Sequence, residues 1–236
     1  MSVELVALHG LNNSPEVWSG VADTMCTADL RWHRPLLPAL DRVESIAAHL
    51  LDALPGRFSL AGFSFGGYVA LAMLEAAPDR IDRFVLVCSA SRADPEAARE
   101  HRRKAIASLE AGGVDAHRAL VAAQAPLTMH PSRVGDPALL AIRDRMVATY
   151  GPQRLVAHLR ASIERPDRTR VLAGWPGPRH LVAAADDRVV TAALMAGVAA
   201  DAPGATMTTV PDSGHLLPIE RPAALAAALD AWLADG

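Results

Sequence analysis

The chain has 236 residues, 51% of them apolar and 21% charged, with a formal net charge of −3. That length suits one domain carrying an insertion and is ample for a large core. The near-neutral balance gives no general pull toward nucleic acid or an acidic membrane surface. The opening MSVELVALHG runs straight into a strand-like stretch without the basic and apolar regions of a secretory leader. No apolar run reaches the roughly 18–20 residues of a membrane-spanning helix. The expectation is a cytoplasmic protein with no membrane or nucleic-acid partner. Cys26 and Cys88 have no metal-type or CxxC spacing and are read as buried free thiols.

In chain order, an apolar run at residues 4–8 predicts the first strand. A helix over 14–25 opens on Ser-Pro-Glu, a cap followed by a favourable first turn. A strand at 31–34 and a helix over 41–54, stopped by Pro55-Gly56, come next. Then follow a strand at 58–62, a helix over 64–77 stopped by Pro78, and a strand at 84–88. Strands at 180–184 and 206–210 bracket a helix over 191–202, and a helix over 219–234 closes the chain. Several strands are apolar throughout, as strands covered on both faces are. The alternation predicts an α/β fold, a doubly wound sheet flanked by helices.

Residues 93–170 break this rhythm. Four helices are predicted there, over 95–111, 114–124, 137–150 and 152–164, with loops such as APLTMHPSRVGDP between them. The segment holds 13 Lys and Arg against 9 Asp and Glu, whereas the remainder holds 10 against 17. A solvated helical surface accounts for such charge; the basic run REHRRKA at 99–105 can also attract an anionic substrate or carrier.

The sharpest local signal is GFSFGG at 62–67, a G-x-S-x-G pattern between a strand and a helix. Gly62 and Gly66 permit a tight turn, with the Ser64 hydroxyl at its apex beside the positive end of a helix. A serine hydroxyl needs a base, and the base needs an orienting acid. Of nine histidines, His215 stands in a glycine-containing loop between the last strand and the last helix, where a base can reach the turn. His9 is read as shaping its own turn. Asp186 and Asp187, in the loop after the strand at 180–184, both qualify as the acid by position, and Asp94 is a more remote alternative. The unused carboxylate can cap the helix near Thr191. Gly10 lets the backbone bend so that the Leu11 amide, with the Phe65 amide, can form an oxyanion hole. No metal-ligand cluster or phosphate loop is present, so neither metal nor cofactor is expected.

LHG at 8–10, GFSFGG at 62–67, AADDRVV at 184–190 and SGHLLPIERP at 213–222 stand in one order across nearly the whole chain. With these motifs the chain resembles the α/β-hydrolase superfamily. More narrowly it is similar to small, lidded carboxylesterase-like members, among them pimeloyl-ester esterases and enol-lactonases. The resemblance implies a core of residues 1–92 and 171–236, a helical cap over 93–170, and a mostly parallel sheet of about six strands, the family's early antiparallel strands being absent. It favours Asp187 as the acid, because Arg188-Val189 follows it as in the family's D-x-V loop. It gives Glu220 a structural role under the histidine loop. Val190 departs from the family, where proline is frequent near this point.

The implied activity is that of a serine hydrolase: Ser64, Asp187 and His215 cleave a small-molecule carboxylic ester through an acyl-enzyme. Lactone, thioester and carbon–carbon cleavage stay open on the same constellation, as does a non-catalytic ligand-binding protein on the same fold. Trp18, Leu120, Leu127, Met129, Met146 and Tyr150 are candidate pocket residues, with Leu155 and Phe65 beside them.

Overall fold

In the computed structural model, which describes residues 2–234, six strands form one sheet. They are β1 (Val3–Leu8), β2 (Leu30–His33), β3 (Phe58–Phe63), β4 (Ile81–Val87), β5 (Arg179–Ala184) and β6 (Thr206–Val210). Their order is β2-β1-β3-β4-β5-β6, and every neighbouring pair is parallel. All six predicted strands are present.

Period-two alternation explains the continuous apolar runs. Val6, Leu8, Leu60, Phe84, Leu86 and Leu181 face one layer, while Leu5, Ala7, Ala61, Val85, Val87 and Val182 face the other. Both layers are covered, so both sets must be apolar. The first layer receives α2 (Val43–Ala53), α3 (Phe65–Ala76), α6 (Thr169–Gly174) and α7 (Ala192–Ala200). The second receives the 3₁₀ turn Pro15–Trp18, α1 (Ser19–Ala22), α8 (Leu217–Glu220) and α9 (Pro222–Ala234). From β1 the chain steps out to β2, then returns to place β3 on the opposite side of β1. The resulting crevice lies at the carboxyl ends of β1 and β3, where open α/β sheets bind ligands.

Between β4 and β5 run two long helical stretches, α4 (Glu96–Thr128) and α5 (Pro137–Glu164). Each is bent once, at Gly113 (φ 53°, ψ −128°) and at Gly151 (φ 72°, ψ 161°). The four helices expected from the sequence are the four arms of these bends. The second arm runs beyond residue 124, through Pro126 to Thr128, so the following loop is shorter than expected. Pro126 has no amide to bond the Ala122 carbonyl, and the helix ends two residues later. The six-residue α6 has too little length to register as a periodic pattern; its Leu172 is buried in the first layer. Ile106, Leu109, Tyr150, Leu155, Leu159 and Ile163 give the helical segment a small core of its own.

Both cysteines are free, but Cys26 is exposed and not buried as expected. It follows α1 in a surface loop, where its amide donates to Asp230 Oδ2 at 2.9 Å. Among the described residues no helix is long and apolar enough to cross a membrane.

Gly151 has open space around the position a Cβ would occupy, but its backbone lies in a region that L-residues avoid. Gly151→Ala is therefore expected to destabilise by about 1–3 kcal/mol through strain alone, read as a lower midpoint in thermal or urea unfolding.

Candidate active site

The turn after β3 is built by three close approaches. A Cβ on Gly62 would lie 2.6 Å from the Gly67 Cα, and one on Gly66 would lie 2.5 Å from the Leu8 carbonyl oxygen. A Cβ on Gly67 would fall 2.2 Å from Ser89 Oγ. Each glycine thus answers a different neighbour, and the third is explained only by the strand next door. Ser64 itself adopts φ 51°, ψ −119°, a strained conformation for a residue with a side chain. It is pinned from three sides. Its amide donates to Val87 O at 2.9 Å, while its carbonyl accepts from the Gly67 amide at 2.9 Å and from Ser89 Oγ at 2.8 Å. The hydroxyl is left at the amino end of α3.

His215 Nε2 stands 2.9 Å from Ser64 Oγ, and its Nδ1 stands 2.7 Å from Asp187 Oδ2. The other oxygen of Asp187 accepts the Val189 and Val190 amides at 2.7 and 2.9 Å. Both carboxylate oxygens are therefore committed, and the ring is held with Nδ1–H toward the acid and Nε2 toward the hydroxyl. The histidine loop is anchored from below by Glu220, whose Oε2 accepts the Gly214 amide at 3.2 Å and the His130 amide at 2.8 Å. Burial pushes the Glu220 carboxyl up from its ordinary value. The Leu216 amide donates to Thr128 O at 2.9 Å, and a Cβ on Gly214 would meet the His130 nitrogen at 2.4 Å. The loop therefore lies flat against the end of α4.

A cavity of about 370 Å³ opens over Ser64 and His215. Leu11, Phe65 and Tyr68 line it from the sheet side, and Leu120, Leu127, Leu155 and Leu159 line it from α4 and α5. Leu11 and Phe65 both border the cavity, and among the described residues neither amide is engaged in a turn, cap or sheet hydrogen bond. The LHG turn is kept in shape by His9. Its Nδ1 donates to Gly10 O at 3.0 Å, and its Nε2 accepts the Leu37 amide at 3.1 Å. Both nitrogens are used, which leaves this ring no capacity as a base, and burial drives it down to about 3. Below Phe65 lies a stacked His158, with ring centroids 4.6 Å apart. Its Nε2 donates to Pro38 O at 2.8 Å and its Nδ1 accepts the Tyr150 hydroxyl. Burial drives His158 down to about 4.

Ser64, His215, Leu11 and Phe65 thus border one cavity, with Asp187 buried behind His215. Asp186 does not join them. It is exposed, its amide donates to Ser213 O at 3.0 Å, and its carboxylate is 3.7 Å from His130 Nε2. Asp94 is tied to Arg102 and Arg165 at 2.6 and 2.7 Å. Of the candidate pocket residues, Leu120 and Leu127 are on the wall. Trp18, Met129 and Met146 pack in the second layer of the core, and Tyr150 packs in the core of the helical segment, none of them on the cavity wall. Large apolar side chains are recruited first by whichever core is nearest, and periodicity does not say which one that is.

Residues 5–228 match the alpha/beta hydrolase family. The chain belongs to that family. One relative, the pimeloyl-[acyl-carrier protein] methyl ester esterase of Nitrosomonas europaea, is 37% identical over 94 residues, 36% of this chain and 37% of that protein. The match thus spans little more than a third of that relative's length. Among solved structures, a thermophilic esterase from Thermogutta terrifontis superimposes with a TM-score of 0.87 at 24% identity, covering 99% of this chain and 90% of that one. The enol-lactonase from Burkholderia xenovorans LB400 does so with a TM-score of 0.85 at 19% identity, covering 100% and 92%. At these identities the structural likeness is one of fold.

In this family member several neighbours of the site carry no motif. Ser89 braces the Ser64 carbonyl, yet nothing marks it in the sequence except the otherwise unexplained third glycine, Gly67. Cys88 lies fully buried at the end of β4, and its Sγ is within 4.8 Å of the ligand-type atoms of Asp187 and His215. Burial first, and then the Asp187 carboxylate, push this thiol well above its ordinary value. It is a neutral neighbour of the acid.

His9 and His158 are neutral in the fold, while an unfolded histidine protonates near 6.5. As pH falls below that value the unfolded chain takes up protons first, so stability is lost from about 6.5 downward and continues to be lost toward 4 and 3. The expected loss between pH 7 and 5 is on the order of 1–2 kcal/mol per histidine. Urea unfolding across that range checks it, with His9→Gln expected to flatten the dependence.

Proposed function

We propose that the protein is a serine hydrolase that cleaves carboxylic esters of small, largely apolar acyl compounds. The observation that carries this reading is the unbroken chain Asp187–His215–Ser64, with the hydroxyl opening on a mainly apolar cavity. In this reading Ser64 Oγ attacks the carbonyl carbon as His215 Nε2 takes its proton. The Leu11 and Phe65 amides hold the developing oxyanion, and Asp187 stabilises the transient imidazolium. His215 then protonates the departing alcohol. Water enters through the same base, attacks the acyl-enzyme, and releases the acid and the free serine. A lactone, a thioester or a diketone offers the same electrophilic carbon. Residues 93–170 serve as a cap, since α4 and α5 supply the wall of the cavity opposite the sheet. Closure by such a wall excludes water that would compete for the acyl group.

Hydrolysis of p-nitrophenyl butyrate is expected to fall by at least about 10³-fold in Ser64→Ala. A fluorophosphonate should label the wild type at Ser64 and leave the variant unlabelled. Retained activity in Ser64→Ala would remove the mechanism, and neither turnover nor labelling in the wild type would favour a ligand-binding protein. Asp187→Asn is expected to lower kcat by about 10³–10⁴-fold with little change in KM, since it alters the imidazole tautomer and not the cavity. Asp186→Asn should leave both constants within about two-fold, in keeping with an exposed surface site.

A further inference from the structure

Three arginines in the described residues are at least nine-tenths buried: Arg143, Arg165 and Arg168. Two of them are matched by carboxylates. Arg165 pairs with Asp94 at 2.7 Å, and Arg168 pairs with Glu44 at 2.7 Å and Glu75 at 2.9 Å. Arg143 is the exception. It is 8% exposed, it borders the cavity, and its guanidinium donates to the Val121 carbonyl. Among the described residues no carboxylate lies within ion-pair distance of it. A guanidinium taken out of water without a counter-charge is costly, and the other two buried arginines show how this fold normally meets that cost. Burial lowers the Arg143 proton affinity, and Asp144, which lies beyond ion-pair distance, offsets this only in part.

The rest of the cavity points the same way. Its walls carry Arg102, Arg143 and Arg188 but no Asp or Glu among the described residues. Arg102 is paired with Asp94 at 2.6 Å, a carboxylate it shares with Arg165, and Arg188 is exposed. Among the described residues Arg143 is therefore the one arginine of the wall that is buried with no carboxylate within ion-pair distance, in an otherwise leucine-rich pocket. A buried guanidinium attracts an anion, and its planar fork matches a carboxylate. A cavity of about 370 Å³ is within the range that encloses a small organic ligand.

We propose that Arg143 binds a carboxylate of the substrate, so that the preferred substrates are half-esters of dicarboxylic acids or lactones bearing one free carboxylate. This rests on the reading of the cavity as the place where Ser64 meets its substrate, but its central claim concerns binding and is testable without turnover. Arg143 touches the substrate away from the reacting carbon and sets specificity.

The test uses the full-length Ser64→Ala protein, which holds ligand without consuming it. Calorimetric titration compares monomethyl succinate, adipate and suberate with the corresponding dimethyl esters. At least one half-ester is expected to bind about ten-fold or more tightly than its neutral diester. Adding Arg143→Met should abolish that preference, and Arg143→Lys should restore part of it. Equal or weaker binding of all three half-esters would overturn the proposal, as would a preference that survives Arg143→Met. The wild-type side chain alone decides the first comparison, so a failure of the Met variant to fold leaves the proposal open to refutation. On the Ser64-intact protein, hydrolysis of neutral esters without a half-ester preference would sink this inference and leave the serine mechanism standing. Preferential half-ester binding with no turnover of any ester would do the reverse.

Discussion

The structure depends on how the chain turns at Ser64. A strand must end, reverse its curvature and enter a helix within two residues, while β1 and β4 pass at contact distance. The backbone meets this demand by holding a serine at φ 51°. Such a conformation persists only where the surroundings over-determine it. Here Val87, Gly67 and Ser89 bind the Ser64 backbone, and three glycines remove every Cβ that would collide. The strain is not isolated. Asn12, Cys88 and Asp212, which also follow strand ends bordering the site, have positive φ as well. Of the five non-glycine residues with positive φ among the described residues, only Asp29, just before β2, lies away from this edge of the sheet.

Around that fixed hydroxyl, the other groups arrive on separate loops and are secured separately. The Asp187 carboxylate is satisfied by two amides of its own loop as well as by the imidazole. The histidine loop is tied to Glu220, and the same Glu220 oxygen accepts an amide from the segment that follows α4. One buried carboxylate therefore links the imidazole loop to the helical segment that walls the cavity. On the opposite side, His117 Nε2 donates to Asn12 Oδ1 at 2.7 Å, joining that segment to the LHG turn. The cavity wall is thus hydrogen-bonded to two of the loops it covers.

Much of this was legible in the sequence. Strands buried on both faces cannot hide their apolar runs, and glycine or proline marks the ends of most predicted helices; the six strands and the bends at Gly113 and Gly151 follow from that. Ser64, His215 and the Asp186–Asp187 pair announce themselves because a turn, a base and an acid need particular residue types in particular loops. The pocket wall was less legible. Trp18, Met129, Met146 and Tyr150 are large and apolar, as wall residues are, but so is the interior of any core. Cys26 looked buried by residue type and is exposed by its place after α1. Arg143 is one of the 13 Lys and Arg of residues 93–170 and carries no sequence signal of its own.

The amino-acid order alone determined which strands form, where the chain turns sharply, and that one hydroxyl, one imidazole and one carboxylate of two are available at the same edge of the sheet. These are local properties, set by periodicity, by the conformational freedom of glycine and by the chemistry of single side chains. Only the tertiary structure decided that Asp187 and not Asp186 meets His215, that Gly67 exists to admit Ser89, and that Arg143 lies buried on the cavity wall with no carboxylate within ion-pair distance. Each of those depends on how distant segments approach one another, and charge balance in a buried space is a property of the space and not of the sequence neighbours.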